Sequence, residues 1–416
     1  MLKNYIKTAY KVFLRRKFFT FISLFAISFT LIVLMVATSL FDHVFGAMPP
    51  EKNLDRMLGV YRMRMSGEEG ENRFSRAGLV GYGFLDRYCR ELPFVEKTSF
   101  FTGPNVIPAY YNGEKLKLFF KRTDGEFWQI MSFTFLEGSP FTVEDEKNRN
   151  FVAVINEATR RKFFGADSAV GKSITVDGQN FRVVGVVANV PILRILSSSD
   201  VWVPISTAKS DAYKKEFVDN FMAVFLANSK ADFPAIKQEF QSRLSQAALP
   251  DKNFTRLEGR AETVLEGFGS LFISEEGGAG GTGRFILIVV IGALFFMLLP
   301  TINLININVS RIMERASEVG VRKAFGASSL MLVGQFVIEN ILLSLVGGVI
   351  GFIGSFLVLQ AIAGSGLLPY ADFHFNYRIF FYGFLMAVVF GLLSGVYPAW
   401  KMSRLHPVQA LQGGTR

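Results

Sequence analysis

The chain has 416 residues and a mass of 46.5 kDa; half of it is hydrophobic, only 19% is charged, and the mean hydropathy is +0.30. Soluble domains carry about 25% charged residues, so a wholly soluble chain is excluded and a membrane protein indicated. The net charge of +10 does not point to nucleic acid, because between Phe41 and Gly283 30 Lys and Arg meet 31 Asp and Glu, and the basic excess falls beside apolar segments.

Residues 1–17 read as a cytoplasmic amphipathic helix. Lys3, Lys7, Lys11 and Arg15 recur every four residues, with Leu2, Tyr5, Ile6, Ala9, Tyr10 and Phe13 on the other side, a pattern suited to the headgroup layer. A solvated cytoplasmic extension of the first span satisfies the same pattern. Phe18–Leu40 is uncharged and would be about 34 Å long as a helix, enough to cross a bilayer. Ala37-Thr38-Ser39 offers small residues at leader-cleavage spacing, but the apolar run exceeds the roughly 7–15 residues of a secretory leader. An uncleaved anchor is the expectation, and its basic flank places the N-terminus in the cytoplasm.

Residues 41–283 read as a mixed α and β domain outside the membrane. Phe151–Ile155 is an apolar strand. The stretch from Asn156 to Gly165 reads as a short helix with Asn156 as N-cap, Glu157 at its positive end, Arg161 and Lys162 near its negative end, and Gly165 as a left-handed exit. Ser173–Val176 and Gln179–Val187 flank Asp177-Gly178, a two-residue hairpin signal. Pro234 opens a further helix with Ile236, Phe240 and Leu244 on one face. Cys89 reads as a small hydrophobe packed in a helix over Tyr82–Leu92. Residues 275–283, rich in glycine, form a flexible linker.

The second span covers 284–308 with Pro300 as its kink, the third 329–364, and the fourth 379–400; residues 365–378 form an outside loop and 401–416 a cytoplasmic tail. Arg311, Arg315, Arg322 and Lys323 lie between spans two and three, Lys401, Arg404 and Arg416 after span four, and Arg378 alone between spans three and four. The asymmetry sets both termini in the cytoplasm. The fold class expected is a multi-pass α-helical membrane protein with four spans and a large α+β extracytoplasmic domain between the first two. Gly347, Gly351 and Ser355 in span three, and Gly391 and Gly395 in span four, repeat every four residues; such faces favour close helix packing within a subunit or across a dimer. Glu339, an acid inside span three, is expected to serve as a structural hydrogen-bonding group, with a functional role as the alternative.

Between spans two and three, residues 309–328 set Arg311 with Arg315, Glu314 with Glu318 and Glu318 with Arg322 four apart, the last an ion pair in the favourable order. This is a short helix with a charged cytoplasmic face, or a turn obeying the positive-inside rule. Two features mislead. Gly165 to Ser173 looks like a phosphate-binding loop but has one residue too many between its glycines and follows a helix. Leu393-Ser394-Gly395 suggests an ATPase signature but is buried in span four. The lone Cys89 rules out a cysteine-based zinc site, and His43, His374 and His406 form no spaced ligand pair. No nucleophile, base and orienter occur together, so no catalytic, metal or cofactor site is expected.

Glu318-Val-Gly-Val-Arg-Lys-Ala-Phe-Gly-Ala327 resembles the signature of the MacB/FtsX-like permeases, membrane subunits of a mechanotransmitting class of ABC transporters. Asn303, Gln335-Phe336 with Glu339, Tyr397-Pro398-Ala399 and Ser403 to Leu411 resemble the same family. Asp124-Gly-Glu-Phe-Trp, Leu136-Glu-Gly138, Val154-Ile-Asn-Glu157, Phe164-Gly165, Gly171-Lys172, Val184-Gly-Val186 and Val203-Pro204 are similar to its MacB-type periplasmic core domain. The resemblance implies a bacterial inner-membrane protein that acts as a homodimer or heterodimer with separate ABC ATPase subunits. Arg311, Glu314, Arg315, Glu318, Arg322, Lys323 and Gly326 would then belong to a coupling helix seated on the ATPase. ATP would act only through that partner. The expected work is export or extraction of a peptide, antibiotic or lipoprotein-type substrate, with a periplasmic or outer-membrane partner. The alternative is an FtsX-like regulator that activates a cell-wall hydrolase. Pro49-Pro50 and the glycine linker interrupt the helical stalk that the family often carries.

Overall fold

In the computed structural model, residues 17–69, 72–111, 114–249, 253–272, 283–292 and 328–371 are described without interruption, with isolated positions within 6–15, 294–325 and 373–392. The chain separates into a sheet unit, His43–Ile286 with Leu368–Asp372, and a helical unit made of Met1–Asp42, Leu287–Leu367 and Phe373–Arg416.

Among the described residues, fourteen strands form the sheet unit: β1 Met57–Val60, β2 Met63–Glu69, β3 Asn72–Val80, β4 Val95–Thr102, β5 Asn105–Tyr111, β6 Glu114–Thr123, β7 Phe135–Gly138, β8 Val152–Asn156, β9 Ser173–Val176, β10 Gln179–Val187, β11 Val201–Pro204, β12 Val218–Asp219, β13 Phe221–Ala227 and β14 Arg256–Gly259. Their order is β14-β2-β3-β13-β4-β6-β11-β8-β10-β7, with β1 on β13, β12 on β3, β5 on β6 and β9 on β10. Every residue of β8, β11 and β13 is buried, as uninterrupted apolar runs require of central strands. The helices are α1 Lys17–Phe45, α2 Tyr82–Tyr88, α3 Phe127–Ile130, α4 Val143–Lys147, α5 Glu157–Phe164, α6 Phe233–Ser245, α7 Val264–Phe272 and α8 Ser329–Gly364.

The sheet carries separate cores. Leu58, Phe84, Phe100, Phe225, Ile236 and Phe240 pack one; Phe101, Phe127, Trp128, Trp202 and Val224 pack a second. Side chains alternate across a strand, so adjacent Phe100 and Phe101 feed different cores. The two halves of the sheet join where β4 meets β6, at Phe101 opposite Thr123.

Local signals resolve into the expected elements. Asn156 caps α5 by accepting the Thr159 N–H, and Gly165 ends it at φ +63°. Asp177 and Gly178 turn between β9 and β10 with φ of +52° and +67°, both in the left-handed region that the tight hairpin requires. In α6, Phe233, Ile236, Phe240 and Leu244 are buried. One expectation is corrected. The helix around Cys89 ends at Tyr88, and Cys89 is its C-cap, donating its N–H to Leu85 and lying wholly buried. The helix that carries the expected first span extends past Leu40 to Phe45, with no proline before Pro49.

Two described helices, Lys17–Phe45 and Val337–Gly364, are long and apolar enough to cross a membrane. Gly283–Gly292 is a shorter apolar helix. The remainder of the expected second span and most of the fourth, with nearly all of the linker, lie outside the described residues.

Candidate functional site: a membrane helix pair and a buried polar joint

In the helical unit, small residues on α8 bring it against α1. The hydroxyl of Ser28 donates to the Gly347 carbonyl at 3.1 Å. A Cβ built on Gly347 would stand 2.7 Å from Cγ2 of Ile27, and one on Gly351 would stand 2.9 Å from Cβ of Leu31 and 3.2 Å from the Ser28 carbonyl oxygen. Ser355, one turn further, donates to its own helix at Phe352 and lies 3.6 Å from the Met35 sulfur. Ile27, Leu31, Leu34 and Leu343 are buried together beside this seam. Apolar burial gives little drive between helices in lipid, so backbone proximity and van der Waals contact must hold such a pair. Glu339 is buried and accepts from Nε2 of Gln335 at 2.9 Å, one turn earlier on the same helix. Elsewhere on α1, Phe21, Phe25 and Phe29 stack in an exposed stripe with ring centroids 6.3 and 6.0 Å apart.

Arg311, Glu314, Arg315, Glu318, Arg322, Lys323 and Gly326 lie outside the described residues, as do Gly391 and Gly395. Within the same segment, Phe325 donates its N–H to the Val321 carbonyl at 3.1 Å, and Phe325 is 88% exposed.

In the sheet unit the motif residues anchor backbone. The Asp124 carboxylate accepts from the Ser99 hydroxyl and the Phe100 N–H, both at 2.6 Å, and from the Phe127 N–H at 3.0 Å. Burial, followed by the nearby Glu146 carboxylate, holds its pKa well above the usual range. Glu146 accepts the Gly125 N–H at 2.9 Å and is pushed up to about 7, chiefly by burial. Glu137 accepts from the Ser168 hydroxyl and the Ala169 N–H, and the Gly171 N–H donates to Val183. The glycine-rich loop from Gly165 to Ser173 therefore commits N–H groups to protein acceptors that a phosphate site would leave open. Among the described residues no group of three His, Cys, Asp or Glu could hold a metal ion.

Sequence reasoning missed the joint directly after α1. Arg194 donates from Nη2 to the Gly46 carbonyl at 3.0 Å, and from Nη1 to the Met48 carbonyl at 3.5 Å and to Oε2 of Glu51 at 3.1 Å. The other oxygen of Glu51 accepts from the Ser197 hydroxyl at 2.6 Å. Both charged side chains are almost wholly buried, at 1% and 2% exposure. Lys121, also buried, donates to the carbonyls of Ile195 and Leu196 at 2.8 and 2.6 Å; burial pushes its pKa down to about 7. The available signal was a lone Arg194 inside the apolar run Pro191-Ile-Leu-Arg-Ile-Leu196, since a charge so placed must be paired.

Comparison with known proteins decides what this arrangement belongs to. The family model of the MacB-like periplasmic core domain matches residues 20–243, and that of the FtsX-like permease C-terminal region matches residues 290–407. The chain belongs to the MacB/FtsX-like ABC transporter permeases. It is 28% identical over 289 residues to the macrolide export ATP-binding/permease protein MacB of Bdellovibrio bacteriovorus, an alignment covering 68% of this chain and 42% of that protein. It is 25% identical over 311 residues to the ABC transporter permease YknZ of Bacillus subtilis, covering 74% of this chain and 72% of YknZ. The periplasmic region of MacB from Actinobacillus actinomycetemcomitans superposes with a TM-score of 0.35 at 14% identity, covering 53% of this chain and 94% of that one. The matched stretch amounts to less than half of the MacB relative.

As a MacB/FtsX-like permease, the chain contributes an α+β outer domain and apolar membrane helices. The α1–α8 seam lies in its helical unit. The Arg194–Glu51 pair holds residues 46–51 within the sheet unit, just after the end of α1.

Proposed function

We propose that this chain is the non-catalytic permease subunit of an ABC transporter, passing ATP-driven movement from a separate ATPase subunit to its outer domain. The observation that carries the reading is the presence on one chain of a MacB-like periplasmic core domain and an FtsX-like permease region. Charge placement supports four spans with both termini in the cytoplasm of a bacterial inner membrane. Phe325, 88% exposed within the charged cytoplasmic segment, suits a protein partner at that place. In this reading Glu318 and Arg322 sit on the ATPase, the permease pairs as a homodimer or heterodimer, and the outer domain drives export or extraction of a peptide, antibiotic or lipoprotein-type substrate. The motif carboxylates Asp124 and Glu137 are taken up by backbone and hydroxyl donors, which supports a structural role for them in this reading.

Purification from native membranes in mild detergent, with partners identified by mass spectrometry, tests the proposal. A stoichiometric ABC ATPase supports it, and Glu318→Ala with Arg322→Ala should lower the stimulated ATPase rate while leaving membrane insertion intact. A cell-wall hydrolase in place of a periplasmic or outer-membrane transport partner would favour the FtsX-like regulatory role, and the absence of any ATPase would overturn the mechanism.

A further inference from the structure

The loop that grips the exit of α1 also receives a second segment. Leu368–Asp372, which follows α8, belongs to the sheet unit. The Ile192 N–H donates to the Pro369 carbonyl at 3.2 Å, and the Tyr370 hydroxyl donates to Oδ1 of Asp200 at 2.7 Å. Tyr370 has φ +60°, a conformation that a bulky residue keeps only where its surroundings hold it. Burial and the Asp200 carboxylate raise the phenol's pKa, so it stays a donor at every physiological pH.

Asp200 is itself buried and fully engaged. Its Oδ1 also accepts from Nδ2 of Asn156, the cap of α5, at 2.9 Å, and its Oδ2 accepts the Phe119 N–H of β6 at 2.8 Å. Between Arg194 and Asp200 the loop closes on itself. The N–H groups of Ser197 and Ser198 return to the Arg194 carbonyl, Trp202 Nε1 donates to the Ser197 carbonyl, and the Ser199 hydroxyl donates to the Phe119 carbonyl. Lys121 fills the Ile195 and Leu196 carbonyls from below. A loop whose polar groups are satisfied this completely has little freedom to yield locally. Displacement of either end must therefore move β6, β8 and α5 with it.

We propose that residues 192–200 form the joint through which movement of both membrane-helix exits enters the outer domain, with Arg194 and Asp200 as its positioning residues. Arg194 holds the segment leaving α1, and Asp200 with Ile192 holds the segment leaving α8. The two ties sit six positions apart in one stiff loop, so residues 46–51 and 368–371 are held by the same part of the sheet unit. The proposal rests on the reading that the chain transmits ATP-driven movement.

The test uses the full chain with its co-purified ATPase in lipid nanodiscs, and hydrogen exchange read by mass spectrometry with and without ATP plus orthovanadate. Tyr370→Phe removes one hydrogen bond and keeps the ring; Arg194→Lys keeps the charge and removes the forked reach to Gly46 and Met48. Wild-type protein should change its exchange at 46–51, 192–200 and 368–372 when nucleotide is trapped. In either variant that response should fall about tenfold, the scale of losing one hydrogen bond to a charged group, while the ATP hydrolysis rate stays near wild type. Variants that lose thermal stability but keep the full nucleotide response would overturn the joint and leave the transmission reading standing. No nucleotide response in wild type would overturn the transmission reading, and the joint with it.

Discussion

Arg194 and Glu51 form an ion pair of 3.1 Å between residues 143 positions apart in the chain, with neither side chain reaching solvent. Taking both charges out of water is costly, and the geometry offsets that cost only because the remaining donors and acceptors are filled by Gly46, Met48 and Ser197. Removing one member leaves the other buried and uncompensated. Glu51→Ala should therefore destabilise the outer domain by about 3–5 kcal/mol, and Glu51→Gln, which retains an acceptor for Ser197, by less. Thermal unfolding of the full chain in detergent, followed by tryptophan emission, reads this through Trp202 of β11, whose Nε1 donates to the Ser197 carbonyl of that loop. A Glu51→Ala variant within experimental error of wild type would contradict the assignment.

The α1–α8 seam predicts a position-dependent cost of adding a single methyl group. Gly351→Ala would push its new carbon to 2.9 Å from Leu31 Cβ and 3.2 Å from the Ser28 carbonyl oxygen, where backbone has to move. Gly334, on the same helix, has open space where its Cβ would go. We expect Gly351→Ala to cost about 1–3 kcal/mol, as overpacking does, and Gly334→Ala to cost nothing measurable. Unfolding midpoints of the two variants in one detergent compare them directly; equal midpoints would remove the seam as a close contact.

What could be read in advance was what is written within a few residues. The Asp177-Gly178 hairpin, the Asn156 cap and the Phe233–Ser245 helix each carry their cause in adjacent side chains. The apolar reach of α1 was visible too, and its end at Phe45 comes directly before Gly46 and shortly before Pro49-Pro50. The joint was not visible. Arg194 meets Glu51 and Gly46, and Asp200 meets Tyr370 across 170 positions; nothing local to either residue names its partner. In the sequence Arg194 is no more than one charge set in an apolar run. Asp124 is the intermediate case: its motif was recognised as a family feature, but its work of holding Ser99, Phe100 and Phe127 follows only from the fold.

Glu146 sets a pH dependence whose sign is determined. Its folded-state pKa is raised to about 7 from 4.5, chiefly by burial, so the folded state binds more protons than the unfolded chain between those values. Stability is then greatest below pH 4.5 for this group and is lost as pH rises toward 7. Lys121 acts in the other window: lowered to about 7 from 10.5, it makes stability rise with pH between those values. Glu146→Gln keeps an acceptor for the Gly125 N–H and removes the charge. It should stabilise the domain by on the order of 1 kcal/mol at pH 8, flatten the 4.5–7 limb and leave the alkaline limb unchanged. Unfolding midpoints measured from pH 5 to 9 test all three statements, and an unaltered acid limb would sink the assignment.

The orientation of the outer domain can be tested with thiol chemistry, but not with the native thiol. Cys89 has no exposed surface, and burial raises its pKa far above the range in which a thiolate forms near neutral pH. Because the thiolate is the reacting species, intact wild-type protein should remain unlabelled by a membrane-impermeant maleimide on either side of the membrane, and should react once denatured. The chain therefore supplies its own silent background, and one added cysteine suffices. Lys215 is exposed on the outer domain beside α2, and Lys215→Cys places a reactive thiol there without touching a core. With the outer membrane permeabilised and the inner membrane intact, Lys215→Cys should label to the same extent as after lysis. Labelling that requires inner-membrane lysis would put the domain in the cytoplasm and reverse the orientation drawn from the basic flanks. Labelling of wild-type protein under native conditions would instead show that the core around Cys89 opens, and that this corner of the outer domain is less tightly packed than its buried Phe84, Leu85 and Phe217 imply.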